Sequence, residues 1–205
     1  MRNLVQVVHP HTYKYILEDG QIKFEIGPSN EANKPRDEKV ASFLKEAKKS
    51  GSEILVHLEY MDNFMGRAMQ RLAFKADPIY EDVVETIEDC FFTLHSGLPL
   101  PRNRPEKIDK KSWDFLRRNI ISHSGLKRRI PEAENVFFMG GLLEACLGNF
   151  TNYYSMHYST NGQKLFLIED LAASLDENEA KKIKGILGEG GINFVNYNTA
   201  MSLLK

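Results

Sequence analysis

The stretch of sequence that decides the fold is residues 136–146, VFFMGGLLEAC. Its apolar run predicts a buried strand at 136–139, and the two glycines that follow predict a tight turn. A helix is expected from Leu142 to about Tyr158, which would put Cys146 near its start. A second buried strand, 164–169, then ends beside Asp170. This order would aim a thiol at the carboxyl edge of a parallel sheet, where open α/β folds bind ligands and a helix N-terminus favours a thiolate.

The rest of the chain also alternates between strand-like and helix-like patterns. Apolar runs predict further strands at 4–8, 53–60 and 192–196. This alternation predicts an α/β protein with three α/β/α layers around a mostly parallel central sheet. A chain of 205 residues can form a single domain, 1–205. Within it, 62–105 is expected to be a divergent helical segment, and its helical pattern at 79–94 makes Cys90 an inert, packed thiol.

Two intervals in the second half of the chain resemble a known family. The spacings from Gly140 to Cys146 and from Gly162 to Asp170 are similar to those of the isochorismatase-like cysteine hydrolases. In that family a glycine ends a strand, the nucleophilic cysteine follows, and a later strand runs from a glycine to an aspartate. The resemblance is specific over residues 135–204. It implies a Rossmann-like fold and hydrolysis of a carbon–nitrogen bond in a small amide or carbamoyl compound.

The same resemblance implies a catalytic triad. Cys146 would attack as a thiolate, Asp19 would shuttle the proton, and Lys110 would lower the pKa of the thiol. Backbone N–H groups near Ala145 and Cys146 would stabilise the developing oxyanion, because a helix start presents unpaired donors. The candidate binding residues lie between the glycine turn and the cysteine and are Gly141, Leu142 and Glu144.

Two members of this triad have alternatives in the sequence. Asp19-Gly20 lies between the alternating apolar runs 13–17 and 22–26, which is a hairpin signal, so Asp19 is either a turn residue or the catalytic acid. The lysine is Lys110 if Ile108-x-Lys110 ends a short strand, and Lys107 or Lys111 otherwise.

Composition excludes several function classes. With 27 basic and 28 acidic residues the formal net charge is −1, so no global field attracts nucleic acid or an anionic membrane. The absence of a signal-like or membrane-spanning apolar run predicts a cytoplasmic protein. Residues 60–64 lack the histidine of the zinc-dependent branch of the resembled family, so neither a metal nor another cofactor is expected.

An alternative function remains beside the hydrolase. A chain can keep the sheet and the thiol yet lose the acid and the lysine, which would leave an inactive binding or assembly protein. The hydrolase interpretation predicts a small-molecule substrate. The Met- and Phe-rich segment 64–74, together with the family's habit of assembling, predicts a homo-oligomer.

Overall fold

The computed structural model describes residues 2–10, 14–18, 21–25, 28–59, 89–94 and 96–205. In chain order its elements are β1 (Asn3–Val8), β2 (Lys14–Glu18), β3 (Gln21–Glu25), α1 (Pro28–Lys49), β4 (Glu53–Glu59), β5 (Asp89–Thr93), α2 (Lys110–Asn119), α3 (His123–Arg129), β6 (Asn135–Leu142), α4 (Cys146–His157), β7 (Lys164–Ala173), α5 (Glu177–Glu189), β8 (Ile192–Val195) and α6 (Tyr197–Leu203).

Six strands form the central sheet in the order β5-β4-β1-β6-β7-β8. Each neighbouring pair in this sheet is parallel. β1 lies in the middle because the chain first adds β4 and β5 on one side of it and then β6, β7 and β8 on the other. The predicted α/β class with a mostly parallel sheet is therefore confirmed, and the order of addition reverses between β1 and β6.

Apolar side chains cover both faces of the sheet. On one face, Phe43 of α1 packs edge-on against Phe137 of β6, with ring centroids 5.7 Å apart. On the other face, Phe138 packs against Tyr154 of α4 at 5.1 Å. Residues 3–8 of β1 are buried throughout, as expected for a central parallel strand that has helices on both sides.

The glycine pair at the end of β6 differs from the predicted turn. β6 continues through Gly140 and Gly141 to Leu142, and α4 begins only at Cys146. Gly140 has a φ of +117°, and the pairing with β7 shifts register on both sides of it. The two glycines thus form an irregularity inside a strand, so the predicted strand end at residue 139 and helix start at Leu142 are wrong.

The predicted helix at 79–94 is also wrong where the structure describes it. Residues 89–93 form β5, which pairs with β4 from Leu55↔Asp89 to Glu59↔Thr93. Backbone pairing with the edge of the sheet overrides the helix-like spacing of apolar residues. Cys90 consequently lies on a strand, where it is partly buried.

The predicted strand end at Lys110 is absent as well. Lys110 is the first residue of α2, and Asp109 caps this helix by accepting a hydrogen bond from the backbone N–H of Ser112 at 3.0 Å. An aspartate that accepts an N-terminal N–H starts a helix at the next residue.

The hairpin, one of the two alternatives for residues 13–26, is present in its strands. β2 and β3 pair antiparallel from Lys14↔Glu25 to Glu18↔Gln21 and form a separate two-stranded sheet. Asp19 and Gly20 connect these two strands in sequence, and both lie outside the described residues. Within the part of the chain that the structure describes, no helix is both long and apolar enough to cross a bilayer.

Candidate active site

Cys146 lies where the resemblance places the nucleophile of this fold. It is the first residue of α4, directly after β6, and β6 is the neighbour of β1 across the point where the strand order reverses. Open α/β sheets bind ligands outside the carboxyl ends of their strands at this point. The sulfur therefore lies at the carboxyl edge of the sheet, where a fold of this kind binds its ligands.

Gly141 provides the space for the sulfur. A Cβ atom built on Gly141 would lie 2.6 Å from Cys146 Sγ, 3.1 Å from the Val8 carbonyl oxygen and 3.3 Å from the His9 carbonyl oxygen. Any larger residue at this position would displace either the thiol or the end of β1. The structure thus places the predicted binding residue Gly141 directly against the thiol.

The electrostatics of the thiol are opposite to the expectation. Cys146 is 7% exposed and packs in the apolar cluster beneath α4. This burial raises the pKa of the thiol, and the Glu59 carboxylate raises it further, although the backbone N–H groups of Leu142, Leu147 and Cys146 act in the other direction. The expected thiolate is therefore a protonated thiol at neutral pH.

The donors near the sulfur are only partly those predicted. The Ala145 N–H donates to the Leu142 carbonyl oxygen at 3.2 Å, so it serves the turn that precedes α4. The backbone N–H groups of Leu142, Leu147 and Cys146 instead favour the charged form of the thiol. Gly97 packs against the backbone of Cys146, because a Cβ atom on Gly97 would lie 2.5 Å from the Cys146 carbonyl oxygen.

Glu144 organises the neighbouring loop. Its Oε1 accepts hydrogen bonds from Ser174 Oγ at 2.6 Å and from the backbone N–H groups of Leu175 at 2.7 Å and Asp176 at 2.8 Å. Burial raises the pKa of Glu144, but these hydrogen bonds together outweigh burial and hold the pKa below its ordinary value. Glu144 therefore joins the loop before Cys146 to the loop before α5.

The structure places the predicted lysine on a helix whose apolar residues belong to a different cluster from that of the thiol. Lys110 is exposed on α2, a helix that packs through Trp113 against Leu100 and Ile120, in a cluster separate from that of Cys146. Lys107, which precedes α2, and Lys111, which belongs to it, line a surface pocket of about 640 Å³. This pocket lies on α2 and Cys146 is not among its lining residues, so the role of Lys110 stays a prediction.

Three residues at the edge of the sheet were not predicted from sequence. Glu59 ends β4, and its charge acts on the Cys146 thiol. His9 follows β1 with a φ of +44°, and its Nε2 lies 2.9 Å from Thr93 Oγ1. Arg36 of α1 donates to the carbonyl oxygens of Gly140 at 2.7 Å and Pro10 at 3.3 Å. Glu59 and His9 could have been found from sequence, because each is a titratable residue at the end of a buried strand.

Arg36 holds the two central strands together from the α1 side. It pairs with Asp37, and both side chains are 12% exposed. Because its other two bonds go to carbonyl groups after β1 and within β6, the guanidinium spans the crevice at the point of reversal. Among the described residues, no group of three or more His, Cys, Asp or Glu side chains is arranged to hold a metal ion.

Comparison with known proteins shows similarity in structure. No protein-family model and no curated protein matches the chain. Among solved structures, the MAR1 ribonuclease from Caenorhabditis elegans aligns over 99% of this chain and 80% of its own, with 12% identity and a TM-score of 0.52. An isochorismatase family protein from Desulfovibrio vulgaris aligns over 98% and 97%, with 13% identity and a TM-score of 0.51.

A third structural neighbour is a pyrazinamidase from Pyrococcus horikoshii, solved in complex with zinc. It aligns over 95% of this chain and 98% of its own, with 15% identity and a TM-score of 0.50. At these identities the similarity concerns the fold alone. The chain therefore has the isochorismatase-like α/β hydrolase fold, as the resemblance in its second half implied.

Proposed function

We propose that this protein hydrolyses a carbon–nitrogen bond in a small amide or carbamoyl compound, with Cys146 as the nucleophile. The observation that carries the proposal is the position of its sulfur at the first residue of α4, against Gly141 and at the reversal point of the sheet. The pyrazinamidase neighbour, an amidase by its name, supports the choice of bond. The backbone N–H groups that favour the charged form of the thiol support an acyl-transfer reaction, because such donors can stabilise negative charge that develops nearby.

The reaction has two steps in this proposal. A carboxylate takes the thiol proton while the sulfur bonds to the substrate carbonyl carbon, and the carbon–nitrogen bond then breaks as the amine leaves with that proton. Water next attacks the thioester, which releases a carboxylic or carbamic acid and restores the thiol. Because the resting thiol is protonated, a base is required at the moment of attack.

Glu59 is the carboxylate that we propose for this base. It ends β4, and its charge acts on the thiol. The resemblance assigns this proton transfer to Asp19 instead, so Asp19 is the alternative base, and it assigns the role of the cation to Lys110. Separate variants test these assignments, because Asp19→Asn and Lys110→Met would each reduce turnover only if those side chains reach the substrate.

Turnover of a panel of small amides and carbamoyl compounds tests the function. Ammonia or amine release is expected from the unaltered protein, and Cys146→Ala should lower it by at least about a thousand-fold, because no other group would form the thioester. Cys90→Ala is the matched control, since this second thiol is partly buried on β5. Turnover that survives in Cys146→Ala would exclude Cys146 as the nucleophile.

Glu59→Gln should make alkylation of the Cys146 thiol faster and hydrolysis of the substrate slower. Removal of the negative charge lowers the pKa of Cys146, so alkylation by iodoacetamide at neutral pH should become severalfold faster. Hydrolysis should become slower, because the base is lost. Glu53→Gln, at the other end of β4 in an exposed ion pair with Arg2, should change neither rate. Slower alkylation in Glu59→Gln would contradict the assignment.

A non-catalytic binding or assembly protein is the second candidate. The observation that favours it is the burial of Cys146, which raises the pKa of the thiol where an enzyme of this kind needs a reactive sulfur. This candidate predicts alkylation slower than that of free cysteine and no hydrolysis across the panel. It also keeps the prediction of a homo-oligomer, which a monomeric mass from light scattering would contradict.

A further inference from the structure

A second group of polar side chains lies at the other end of α4. It consists of Arg102, His123, Lys127, Tyr153 and His157, called here the His123 cluster. Cys146 begins α4 and His157 ends it, so the helix separates the two places by roughly 17 Å at 1.5 Å per residue. The His123 cluster is therefore independent of the proposed hydrolase site.

His123 is the buried centre of the cluster. It is 4% exposed, its Nε2 lies 2.8 Å from Arg102 Nη2, and its Nδ1 lies 2.6 Å from the Tyr153 hydroxyl. A guanidinium can only donate, so Nε2 must be the acceptor and Nδ1 carries the hydrogen. The Tyr158 hydroxyl donates to the His123 carbonyl oxygen at 3.1 Å, which fixes the position of the residue.

Positive groups surround this neutral imidazole. Burial lowers the pKa of His123 first, and the charges of Arg102, His157 and Lys127 lower it further. The His157 ring lies 5.9 Å from the ring of His123 and 4.4 Å from that of Tyr153. Lys127 belongs to the last turn of α3, which is basic at each of residues 127–129. The charges that act on His123 are thus all of one sign, which is a repulsive arrangement.

We propose that the His123 cluster binds a small tetrahedral oxyanion, either inorganic phosphate or the phosphate group of a metabolite. Arg102, Lys127 and His157 are exposed, so they can reach an anion in solvent. A bound anion would remove their mutual repulsion, and the planar guanidinium offers paired donors to two of its oxygens.

His123 would change its role when the anion binds. Arg102 would exchange its hydrogen bond to Nε2 for one to an anion oxygen. Nε2 would then take a proton from solvent and become a donor to the anion, while Nδ1 keeps its hydrogen bond to the Tyr153 hydroxyl. Binding therefore takes up a proton, and affinity should fall as pH rises from about 5.5 to 8.

Sulfate is the suitable first probe, because its charge stays constant over this pH range. Titration with sulfate at low ionic strength should shift the ring NMR signals of His123 and His157 and raise the titration midpoint of His123 by about one pH unit. Sodium chloride at the same ionic strength should leave these signals and the midpoint unchanged. Equal shifts with sulfate and chloride would overturn the proposal, because they would show general screening.

Arg102→Gln and its control locate the site. Arg102→Gln should weaken sulfate binding at least tenfold. Arg104→Gln should leave it unchanged, because Arg104 is also exposed but donates to the Ile108 carbonyl oxygen at 3.1 Å. Equal sulfate affinity in the two variants would overturn the assignment. Their circular dichroism spectra and urea midpoints establish that both remain folded.

Phosphate and a phosphomonoester distinguish the two sources of the ligand. Tighter binding of phenyl phosphate than of inorganic phosphate would support a metabolite ester that packs against Tyr153 and His157. Equal or tighter binding of inorganic phosphate would support the free ion. Failure of both to compete with sulfate would overturn the proposed ligand class. Neither result depends on whether Cys146 is catalytic.

Discussion

Gly140→Ala should lower the free energy of unfolding by roughly 2 to 5 kcal/mol. A non-glycine residue at a φ of +117° is strained by roughly 1 to 2 kcal/mol. The added Cβ would also lie 2.4 Å from the Val8 carbonyl oxygen, and relief of such overpacking costs roughly 1 to 3 kcal/mol. Val8 and Gly140 are paired across β1 and β6, so neither backbone can move alone. Urea unfolding followed by circular dichroism measures the loss.

Gly162→Ala is the matched control for this prediction. Gly162 has a φ of +88°, but a Cβ there would meet nothing within 4 Å. Gly162→Ala should therefore lower the free energy of unfolding only by the cost of backbone strain, roughly 1 to 2 kcal/mol. If the two variants are destabilised equally, the close approach of β1 and β6 at Gly140 is not a constraint. A larger loss in Gly140→Ala would establish that the crevice between the central strands is tightly packed.

Acid should destabilise the protein through His57. The residue is fully buried, with Nε2 2.7 Å from Gln6 Oε1 and its ring 4.4 Å from that of Phe150. Burial lowers the pKa of His57 from 6.5 to about 3, with a smaller contribution from the charge of His9. Between these values the unfolded chain binds a proton that the folded chain does not. Stability should therefore fall as pH drops below 6.5, by up to roughly 1.4 kcal/mol per pH unit until about pH 3.

His57→Gln should remove most of this dependence. Urea unfolding between pH 7 and 4 measures how steeply the free energy of unfolding changes with pH. A loss of stability caused by the smaller side chain would be the same at every pH and would not change this slope. His157→Gln is the control, because His157 is exposed at the end of α4 and its removal should leave the slope in place. An unchanged slope in His57→Gln would mean that other groups cause the acid sensitivity.

The strands of the sheet could mostly be predicted from sequence, and the signal is strongest for the central strands, which are buried on both faces. Near-continuous apolar runs predicted strands at 4–8, 53–60, 164–169 and 192–196, and the structure confirms strands at all four places. β5 was predicted as part of a helix, because Phe91 continues a longer pattern of helical spacing over residues 79–94. Periodicity alone does not separate a short buried strand from a helix segment, and the pairing with β4 decided the outcome.

The candidate site could be predicted in position but not in electrostatics. The glycine pair and the cysteine predicted a thiol at the carboxyl edge of the sheet, and Cys146 begins α4 shortly after β6. The sign of the pKa shift depends on how much of the sulfur is buried and on the charge of Glu59, which is distant in sequence. Asp19 and Lys110 remain predictions, the first outside the described residues and the second on α2.

Local patterns in the sequence alone determined the α/β class, the parallel strands and the place of Cys146 shortly after a buried strand, because a run of apolar residues leaves a signal within a few residues. The tertiary structure alone decided that the thiol is protonated, that Glu59 acts on it, and that Arg102 donates to a buried His123. Desolvation and charge shift a pKa through groups that are close in space, and the positions of those groups in the sequence do not show that they are close.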